Sequence, residues 1–330
     1  MASISYLVKR VMHMDYKSML KKINNIHKKT GKSRWSIFMD MKECAIKYGA
    51  GYSDYDLYEM YNLNDAQRDT YITRGRNNDL VLKYNQKEYF HLIDNKAEFD
   101  SLFEKYLKRD WIKVDGTDKE KVIAFLQKHQ VFMAKPIIGS CGKKIEKLNT
   151  DNFASFDELY NYLLNKDFIL EEMIVQHPEV SAIYPGSINT VRVVTILKDN
   201  IPHVICAYFR IGNGKYVDNF NSGGMVAPVD VATGTVRDAA IDKQKNLYTH
   251  HPITGHIIKG FTFPDWQEAL DMCKEASHVV PQMGYIGWDV GFSVKGPLFV
   301  EANEYPGHDI YQLPQHTADK QGMWPLFNNI

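Results

Sequence analysis

The chain has 330 residues with 40 basic and 40 acidic side chains, so its formal net charge at pH 7 is zero. This length allows about two or three packed units with a substantial core. The balanced charge provides no overall field that would favour nucleic acid as a partner. No apolar run approaches the roughly 18 residues of a membrane-spanning helix, and the first residues lack the apolar core of a signal peptide.

Four cysteines are scattered without paired spacing: Cys44, Cys141, Cys206 and Cys273. This arrangement favours reduced thiols in a cytoplasmic protein over a disulfide framework or a zinc site. Three histidines, His250, His251 and His256, share a loop rich in Pro, Gly and Thr. Because no fourth ligand lies at a usable spacing, we expect them to be loop or substrate-facing residues.

The first 48 residues are strongly basic, with 11 Lys and Arg against 3 Asp and Glu. Their apolar residues recur with a helical period. A basic amphipathic segment of this kind can lie on an anionic membrane surface or bind a partner. The alternative is an ordinary helix that packs on its own domain with its lysines facing solvent.

Helices and strands alternate irregularly through the middle of the chain. Four pairs match a helix cap followed three residues later by Glu: Asn95 with Glu98, Thr117 with Glu120, Ser155 with Glu158, and Asp265 with Glu268. Strand-like runs are predicted at 131–135, 168–175, 190–197, 203–211 and 285–303, with a turn at Asp199-Asn200. These patterns predict an α+β fold with largely antiparallel sheets.

The last predicted hairpin, within residues 285–307, carries two carboxylates and one amide side chain: Asp289, Glu301 and Asn303. Glu301 and Asn303 are two residues apart, so they share one face of a strand. A three-residue turn at 295–297 would place Asp289 opposite Asn303 and beside Glu301, whereas a two-residue turn would send it to the other face. Such oxygen ligands suit Mg²⁺. The alternative is a solvated face, although the apolar neighbours make an uncompensated carboxylate costly there.

Other segments could bind phosphate. Lys135 ends a predicted strand and is followed by a glycine loop at 139–142, whose N–H groups could face phosphate oxygens, although the spacing does not match a P-loop. Arg192 and Arg210 could converge on an oxyanion or form surface ion pairs. Glu171 and Glu172 interrupt an apolar strand and could form a solvated edge or accept hydrogen bonds from a base or ribose.

Taken in order, these segments resemble the ATP-grasp superfamily, and within it the sugar-transfer-associated ATP-grasp family related to α-L-glutamate ligases. The resemblance covers roughly residues 40–320. The segments that carry it are KYGAG with Tyr55 at 47–55, DTYIT at 69–73, Asn95-Lys96 with Phe99, Lys135 and its loop, EEMI at 171–174, NTVR at 189–192, NFNSGG at 219–224, Asp289, and EANEYPG at 301–307.

The resemblance implies a fold in which two α+β subdomains hold ATP between their sheets, and it implies roles for particular residues. ATP would be bound by Lys96, Lys135, Gly139, Ser140, Gly142, Glu171, Glu172, Ile174, Glu179, Asn189 and Thr190. Catalysis would rest on Lys135, Arg192 and Arg210. Mg²⁺ would be bound by Asp289, Glu301 and Asn303. The superfamily usually has Asp-Lys where this chain has Asn95-Lys96.

The implied activity is an ATP- and Mg²⁺-dependent ligase that makes an acyl-phosphate and releases ADP and phosphate. Its substrates would be a carboxylate and an amine or hydroxyl acceptor, linked to a sugar or polysaccharide precursor. Two alternatives stay open: a kinase-like phosphotransferase, and a non-catalytic module that binds nucleotide or docks within a polysaccharide assembly.

The expected organisation has four parts: a basic helical segment at 1–60, an N-terminal α/β part at 61–115, a first ATP-grasp subdomain at 116–180, and a second at 181–330. We expect no nucleic-acid partner. The expected location is cytoplasmic, with a peripheral contact to the inner membrane surface or to a glycosyltransferase through the basic N-terminus.

Overall fold

The computed structural model describes residues 14–139, 144–164, 166–328 and 330. The chain forms two compact units. The helical unit comprises Met1–Lys83 with Gly307–Ile330, and the sheet unit comprises Tyr84–Pro306. The segment 307–330, which the sequence placed in the last subdomain, is thus grouped with the N-terminal helices. The four-part division itself stays a prediction.

The elements are numbered in chain order. The α-helices are α1 (Tyr16–Thr30), α2 (Arg34–Tyr48), α3 (Tyr52–Leu57), α4 (Asp65–Asp69), α5 (Arg74–Tyr84), α6 (His91–Asp94), α7 (Lys96–Leu102), α8 (Lys119–Lys128), α9 (Phe156–Leu164), α10 (Pro178–Ile183), α11 (Trp266–Ala276) and α12 (Trp324–Asn328). The strands are β1 (Trp111–Lys113), β2 (Val131–Pro136), β3 (Glu146–Asn149), β4 (Phe168–Glu172), β5 (Thr190–Lys198), β6 (Ile201–Ile211), β7 (Met225–Val229), β8 (Ala240–Ile241), β9 (Leu247–Tyr248), β10 (Tyr285–Ser293) and β11 (Gly296–Asn303). Short 3₁₀ turns lie at Met60–Asn62, Lys87–Tyr89, Glu104–Tyr106, Thr150–Asn152, Phe220–Ser222 and Pro314–His316.

The helical N-terminal segment predicted from the sequence is confirmed from Tyr16 onward. Asp15 and Ser33 cap α1 and α2 by accepting hydrogen bonds from the backbone two to three residues into each helix. Both helices end at glycines with left-handed backbone, Gly31 and Gly49. The two helices bury apolar faces in the core of this unit. Among the described residues, no helix has the length and hydropathy that crossing a bilayer requires.

Two of the four predicted caps are confirmed and two are wrong. Asn95 accepts from the backbone of Ala97 and Glu98, and the Ser155 hydroxyl accepts from Glu158 N. Thr117 does not cap α8, because its N–H and hydroxyl both donate to Asp115, and the adjacent Asp118 caps the helix instead. Asp265 stands before α11 with a left-handed backbone, φ 50°, and makes no side-chain cap.

The sheet unit contains two sheets, and all strand pairs in both are antiparallel. The small sheet has the order β1-β4-β2-β3, and the large sheet has the order β11-β10-β5-β6-β7-β8-β9. The predicted α+β class with antiparallel sheets is therefore confirmed. The turn between β5 and β6 is formed by Asp199 and Asn200, both with positive φ, as a tight hairpin requires.

The large sheet has one apolar and one polar face near its β11 edge. Even-numbered β10 residues such as Trp288, Val290 and Phe292 enter the main core, where α11 also packs. The odd-numbered residues of β10 point to the opposite face. Asp289 therefore lies on the face away from the core, together with its cross-strand neighbours.

The hairpin register differs from the sequence prediction. The turn has two residues, since Ser293 pairs with Gly296, and Asp289 pairs with Glu301 rather than with Asn303. A two-residue turn alone would have placed Glu301 on the other face. A β-bulge between Asp289 and Val290 in the pairing restores the register, because it inserts one extra residue, Val300, in β11. Asn303 instead faces Gly287.

Candidate functional site

A row of charged side chains crosses the polar face of the large sheet. Glu301 on β11 is opposite Asp289 on β10, and Asp289 is opposite Arg192 on β5. Arg210 on β6 is opposite Thr190, one step along the same face. We call Asp289, Glu301, Arg192, Arg210 and Asp218 the large-sheet cluster.

Asp289 is the centre of this cluster. It is 2% exposed, and its carboxylate accepts hydrogen bonds from Arg192 Nε, from Arg192 Nη2 at 3.0 Å, and from Arg210 Nη1. Burial alone would raise the pKa of Asp289, but the charges of Arg192 and Arg210 outweigh it and hold the pKa below its usual range. Asp289 is therefore ionised at neutral pH.

Glu301 and Asn303 complete the predicted ligand set and differ from Asp289 in their partners. Glu301 is hydrogen-bonded to Asp289, and burial together with the Asp289 charge raises the pKa of Glu301. The buried Nδ2 of Asn303 has no hydrogen-bond partner among the described residues. The two ends of an amide can exchange places, so this position can equally present an oxygen.

These three side chains fit a divalent cation. Burial and the charge of Asp289 both raise the pKa of Glu301, and a cation between the two carboxyl groups would offset their repulsion. Mg²⁺ prefers carboxylate and other oxygen ligands, and it would also use the unpartnered end of Asn303. Gly287 allows the Arg192 side chain to pack closely against β10, because a Cβ there would lie 2.9 Å from Arg192 Cδ.

Arg210 is anchored by a residue that was not predicted as part of the site. Its Nη2 donates to Asp218 Oδ1 at 3.1 Å and to Asn219 Oδ1 at 2.8 Å. Thr190 donates its N–H and hydroxyl to the other Asp218 oxygen. The polar glycine turn at 218–224 was the available signal for Asp218. Arg192 and Arg210 are thus both bound to carboxylates here, and their roles at a γ-phosphate stay predictions.

A second group of charges lies on the small sheet. Phe132, Ala134, Phe168 and Leu170 point into one core, so the alternate residues Lys135 and Glu171 share the opposite face. Lys135 Nζ donates to Glu171 Oε2 at 2.7 Å, and Arg109 Nε donates to the same oxygen at 2.9 Å.

We call Lys135, Glu171, Arg109 and Asp100 the small-sheet cluster. Burial would raise the pKa of Glu171, but the charges of Arg109 and Lys135 lower it to about 2. Asp100 lies 3.9 Å from Arg109 Nη2, and its Oδ2 has no hydrogen-bond partner among the described residues. Burial, then the Glu171 charge, raises the pKa of Asp100 to about 7. Neither Arg109 nor Asp100 was predicted, because nothing in their local sequence marks them.

Lys96 contacts the start of the glycine loop and is within electrostatic range of both clusters. Its Nζ donates to Gly139 O at 2.8 Å, at the start of the glycine loop. Burial lowers the pKa of Lys96, and the charges of Glu301, Lys135 and Glu171 all act on it. Lys96 therefore lies near both the predicted cation ligands and the predicted phosphate lysine. The predicted loop residues Ser140 and Gly142 lie outside the described residues.

The residues predicted to bind the base and ribose are more dispersed. Glu172 is on the face opposite Glu171 and accepts hydrogen bonds from Asp110 N at 2.9 Å and Lys295 Nζ at 3.2 Å. Ile174 lies in the irregular segment after β4, and Glu179 is exposed at the start of α10.

Asn189 and Thr190 are buried and bound within the protein. Asn189 Nδ2 donates to Tyr184 O at 2.7 Å, and its Oδ1 accepts from Gly212 N at 3.1 Å. Thr190 is held by Asp218, as described above. The structure thus shows both residues fixing the start of β5, and a direct nucleotide contact stays a prediction.

The three loop histidines have different environments. His251 is buried, stacks on Tyr184 with ring centroids 5.0 Å apart, and hydrogen-bonds Gly212 O at 2.9 Å. Burial lowers its pKa. His251 thus lies in the loop, as expected, but its ring packs inside the unit, whereas His250 and His256 are exposed.

The sequence profile of one family, described as sugar-transfer associated ATP-grasp, matches residues 75–329. The chain belongs to this family. The predicted ATP-grasp fold, with its two antiparallel sheets in one α+β unit, is thereby confirmed. A comparison with curated proteins finds no match.

The solved structures that resemble this chain are only distantly similar. The ATP-grasp ligase PsnB, complexed with minimal precursor, Mg and ADP, is 16% identical, with a TM-score of 0.40 over 67% of this chain and 53% of its own. The D-alanine–D-alanine ligase from Coxiella burnetii is 10% identical, with a TM-score of 0.43 over 72% and 56%. The N5-carboxyaminoimidazole synthase from Aspergillus clavatus is 9% identical, with a TM-score of 0.43 over 69% and 49%. The chain spans about half the length of these proteins.

Proposed function

We propose that this protein is an ATP- and Mg²⁺-dependent ligase that activates a carboxylate as an acyl-phosphate and releases ADP and phosphate. The observation that carries the proposal is the placement of Asp289 and Glu301, two carboxyl groups in hydrogen-bond contact on one sheet face. Family membership supports the nucleotide. Lys96, close to both clusters, supports binding of the triphosphate in the same place.

Asp289, Glu301 and Asn303 would hold the magnesium, which supplies a positive charge that neutralises the transferring phosphoryl group. Lys96 and Lys135 would bind phosphate oxygens, and the glycine loop that begins at Gly139 would cover them. Arg192 and Arg210 keep Asp289 ionised, and Arg192 would also face the γ-phosphate. The segment from Glu171 to Ile174, with Glu179, would hold adenine and ribose. These residues position and stabilise charge, and none acts as a covalent nucleophile.

The reaction has two balanced steps. An oxygen of the substrate carboxylate attacks the γ-phosphorus of ATP, and the bond to the ADP oxygen breaks. The amine or hydroxyl of the acceptor then attacks the acyl carbon, and phosphate leaves with the proton lost by the nucleophile. The product is an amide or an ester.

We propose a sugar or polysaccharide precursor as the molecule that is modified, in keeping with the family description. A cavity of about 490 Å³ supports an acceptor side near the 246–263 loop. It lies between α10 and that loop, where Thr254 and His256 face Ser181 and Gln176.

Product analysis tests the reaction. The protein is incubated with Mg·ATP and pooled amino acids and sugar acids, and phosphorus NMR follows the products. ADP and free phosphate, formed only when carboxylate and nucleophile are both present, would support the ligase. A stable phosphorylated product would favour the kinase-like alternative. AMP with pyrophosphate would overturn both, and nucleotide binding without turnover would favour a non-catalytic module.

We further propose that the helical unit docks on an anionic membrane surface, in the cytoplasm. Helix α2 buries Ile37, Met41 and Cys44 on one side, yet exposes Trp35 by 70% and Ile46 by 63% on the other. Lysines and arginines outnumber acids in this segment. An apolar stripe with basic neighbours has the composition of a helix that lies on anionic lipid.

Vesicle co-sedimentation tests this docking. Trp35→Ser with Ile46→Ser should weaken binding to anionic vesicles several-fold while leaving Mg·ATP binding unchanged. Leu82→Ser is the matched control, because Leu82 is 77% exposed in the same unit but outside this stripe. Equal vesicle binding by all variants at low salt would contradict the proposal that the stripe docks on lipid. Binding of the stripe to a glycosyltransferase instead would assign it to a protein partner.

A further inference from the structure

One guanidinium in the sheet unit contacts both sheets. The Arg109 side chain is 1% exposed and stands just before β1. Its Nε donates to Glu171 of the small sheet at 2.9 Å. Its Nη1 donates to Phe299 O of the large sheet at 2.6 Å, and its Nη2 lies 3.4 Å from Val300 O.

The two carbonyl groups that Arg109 contacts belong to the β-bulge of β11. A bulge interrupts the hydrogen-bond ladder and leaves backbone groups without their strand partners. A buried carbonyl without a donor is costly, and a charged donor makes one of the stronger hydrogen bonds available. Because β11 is the edge strand of the large sheet, carbonyls that point away from β10 have no strand partner, and Arg109 supplies donors to the two at the bulge.

The bulge decides where Glu301 points. The turn has two residues, so an unbulged pairing would place Val300 opposite Asp289 and direct Glu301 toward the core face. With the bulge, Phe299 and Ala302 are in the core, and Glu301 shares a face with Asp289.

We propose that Arg109 is a positioning residue that holds the β11 bulge and thereby keeps Glu301 beside Asp289. The inference rests on the proposed function in so far as this pair binds the metal. Through Glu171, the same guanidinium also fixes Lys135. Arg109 thus ties the geometry of the cation ligands to that of the phosphate lysine, without contacting either ligand carboxylate itself.

The test combines two measurements on Arg109→Met and Arg109→Lys. Mn²⁺ alone is titrated by electron paramagnetic resonance, and hydrogen exchange is followed in the peptide that covers 296–303. We expect Arg109→Met to weaken Mn²⁺ binding by about 10–100-fold, the size typical for residues behind metal ligands, and to speed exchange in this peptide. Because a lysine can donate to Glu171 and to one carbonyl, the Mn²⁺ affinity and exchange rate of Arg109→Lys should lie between those of the unmodified protein and Arg109→Met. Lys113→Met is the control, since Lys113 is a nearby cation on β1 that pairs with Asp115.

If Arg109→Met does not fold, the Mn²⁺ affinity and hydrogen exchange of Arg109→Lys test the inference instead. A folded Arg109 variant with unchanged Mn²⁺ affinity and unchanged exchange in 296–303 overturns the inference. A loss of global stability alone, without either local effect, also overturns it, because it would show a merely stabilising role. If the unmodified protein binds no Mn²⁺, the proposed metal site fails, and the exchange measurement still judges the role of Arg109.

Discussion

The large-sheet and small-sheet clusters are built on a similar arrangement of charges but differ in the surroundings of their second acid. Each contains one buried carboxylate ionised between two cations, Asp289 in one and Glu171 in the other. Each also contains a second acid whose pKa is raised, Glu301 and Asp100 respectively. The clusters differ in the position of that second acid.

Glu301 is hydrogen-bonded to Asp289, and Asn303 on the same strand has an unpartnered buried amide end among the described residues, so a cation here would offset the repulsion between the two carboxyl groups. Asp100 is 1% exposed, one of its carboxyl oxygens has no partner among the described residues, and Arg109 Nη2 lies 3.9 Å from the other. We infer from this comparison that an excess buried carboxylate suits a cation where other oxygen ligands lie beside it, and that the large-sheet cluster is the better candidate. The following predictions test this distinction.

The largest effect is expected for Asp289→Asn. It leaves the guanidiniums of Arg192 and Arg210 without their shared carboxylate, and breaking a buried pair in this way costs about 3–5 kcal/mol. It also removes a proposed cation ligand, so turnover should fall by about a hundredfold or more. Denaturant unfolding and ADP release measure the two effects. If Asp289→Asn kept both its stability and its turnover, Asp289 would be neither an essential ion-pair partner of the two arginines nor a cation ligand.

Glu171→Gln should have a smaller effect on unfolding. Its pKa is lowered to about 2, so its ion pairs stabilise the fold above the unfolded pKa and are lost as the pH falls through about 2. At pH 7 we expect a loss of about 2–4 kcal/mol. The difference from the unmodified protein should shrink in acid. A difference that does not depend on pH would show that Glu171 acts through packing rather than through its charge.

Asp100→Asn should raise the free energy of unfolding, whereas Glu171→Gln should lower it. The folded-state pKa of Asp100 is raised to about 7, so the ionised carboxyl destabilises the fold increasingly as the pH rises from its unfolded value toward about 7. The neutral amide removes this penalty, and at pH 8 we expect a gain of about 1–3 kcal/mol. Near pH 4 the two proteins should be equally stable. Urea unfolding between pH 4 and pH 8 measures the stability difference between the two proteins. A loss of stability at pH 8 would show that the fold needs the charge of Asp100.

Much of the fold could be predicted from the sequence, because strand periodicity and turn residues are local. Asp289 and Glu301 were correctly predicted to share one face, although the turn length was misjudged and the bulge was missed, and these two errors cancel. The turn is one residue shorter than expected, and the bulge at Val300 adds the residue back. The spacing of Phe299 and Ala302, three apart and both in the core, was the signal for the bulge.

The rest of the site depends on contacts between distant parts of the chain. Arg109 reaches Glu171, 62 residues away, and Phe299, 190 residues away. Asp100 is an ordinary acid on a short helix until it is buried beside that guanidinium. No local pattern encodes such contacts, so Arg109, Asp100 and the anchoring role of Asp218 became visible only in the folded chain.

The central claim is that Glu301 and Asp289 together bind the cation of a metal–nucleotide complex. Titration of Mn²⁺ in the presence of ADP, followed by electron paramagnetic resonance, tests it most directly in Glu301→Gln. Glu304→Gln is the matched control, because Glu304 is a nearby acid whose pKa is also raised, to about 7, by burial and by Asp94. We predict that Glu301→Gln weakens Mn²⁺·ADP binding at least about tenfold, while Glu304→Gln binds as the unmodified protein does. Equal affinity in Glu301→Gln and the unmodified protein would contradict the account.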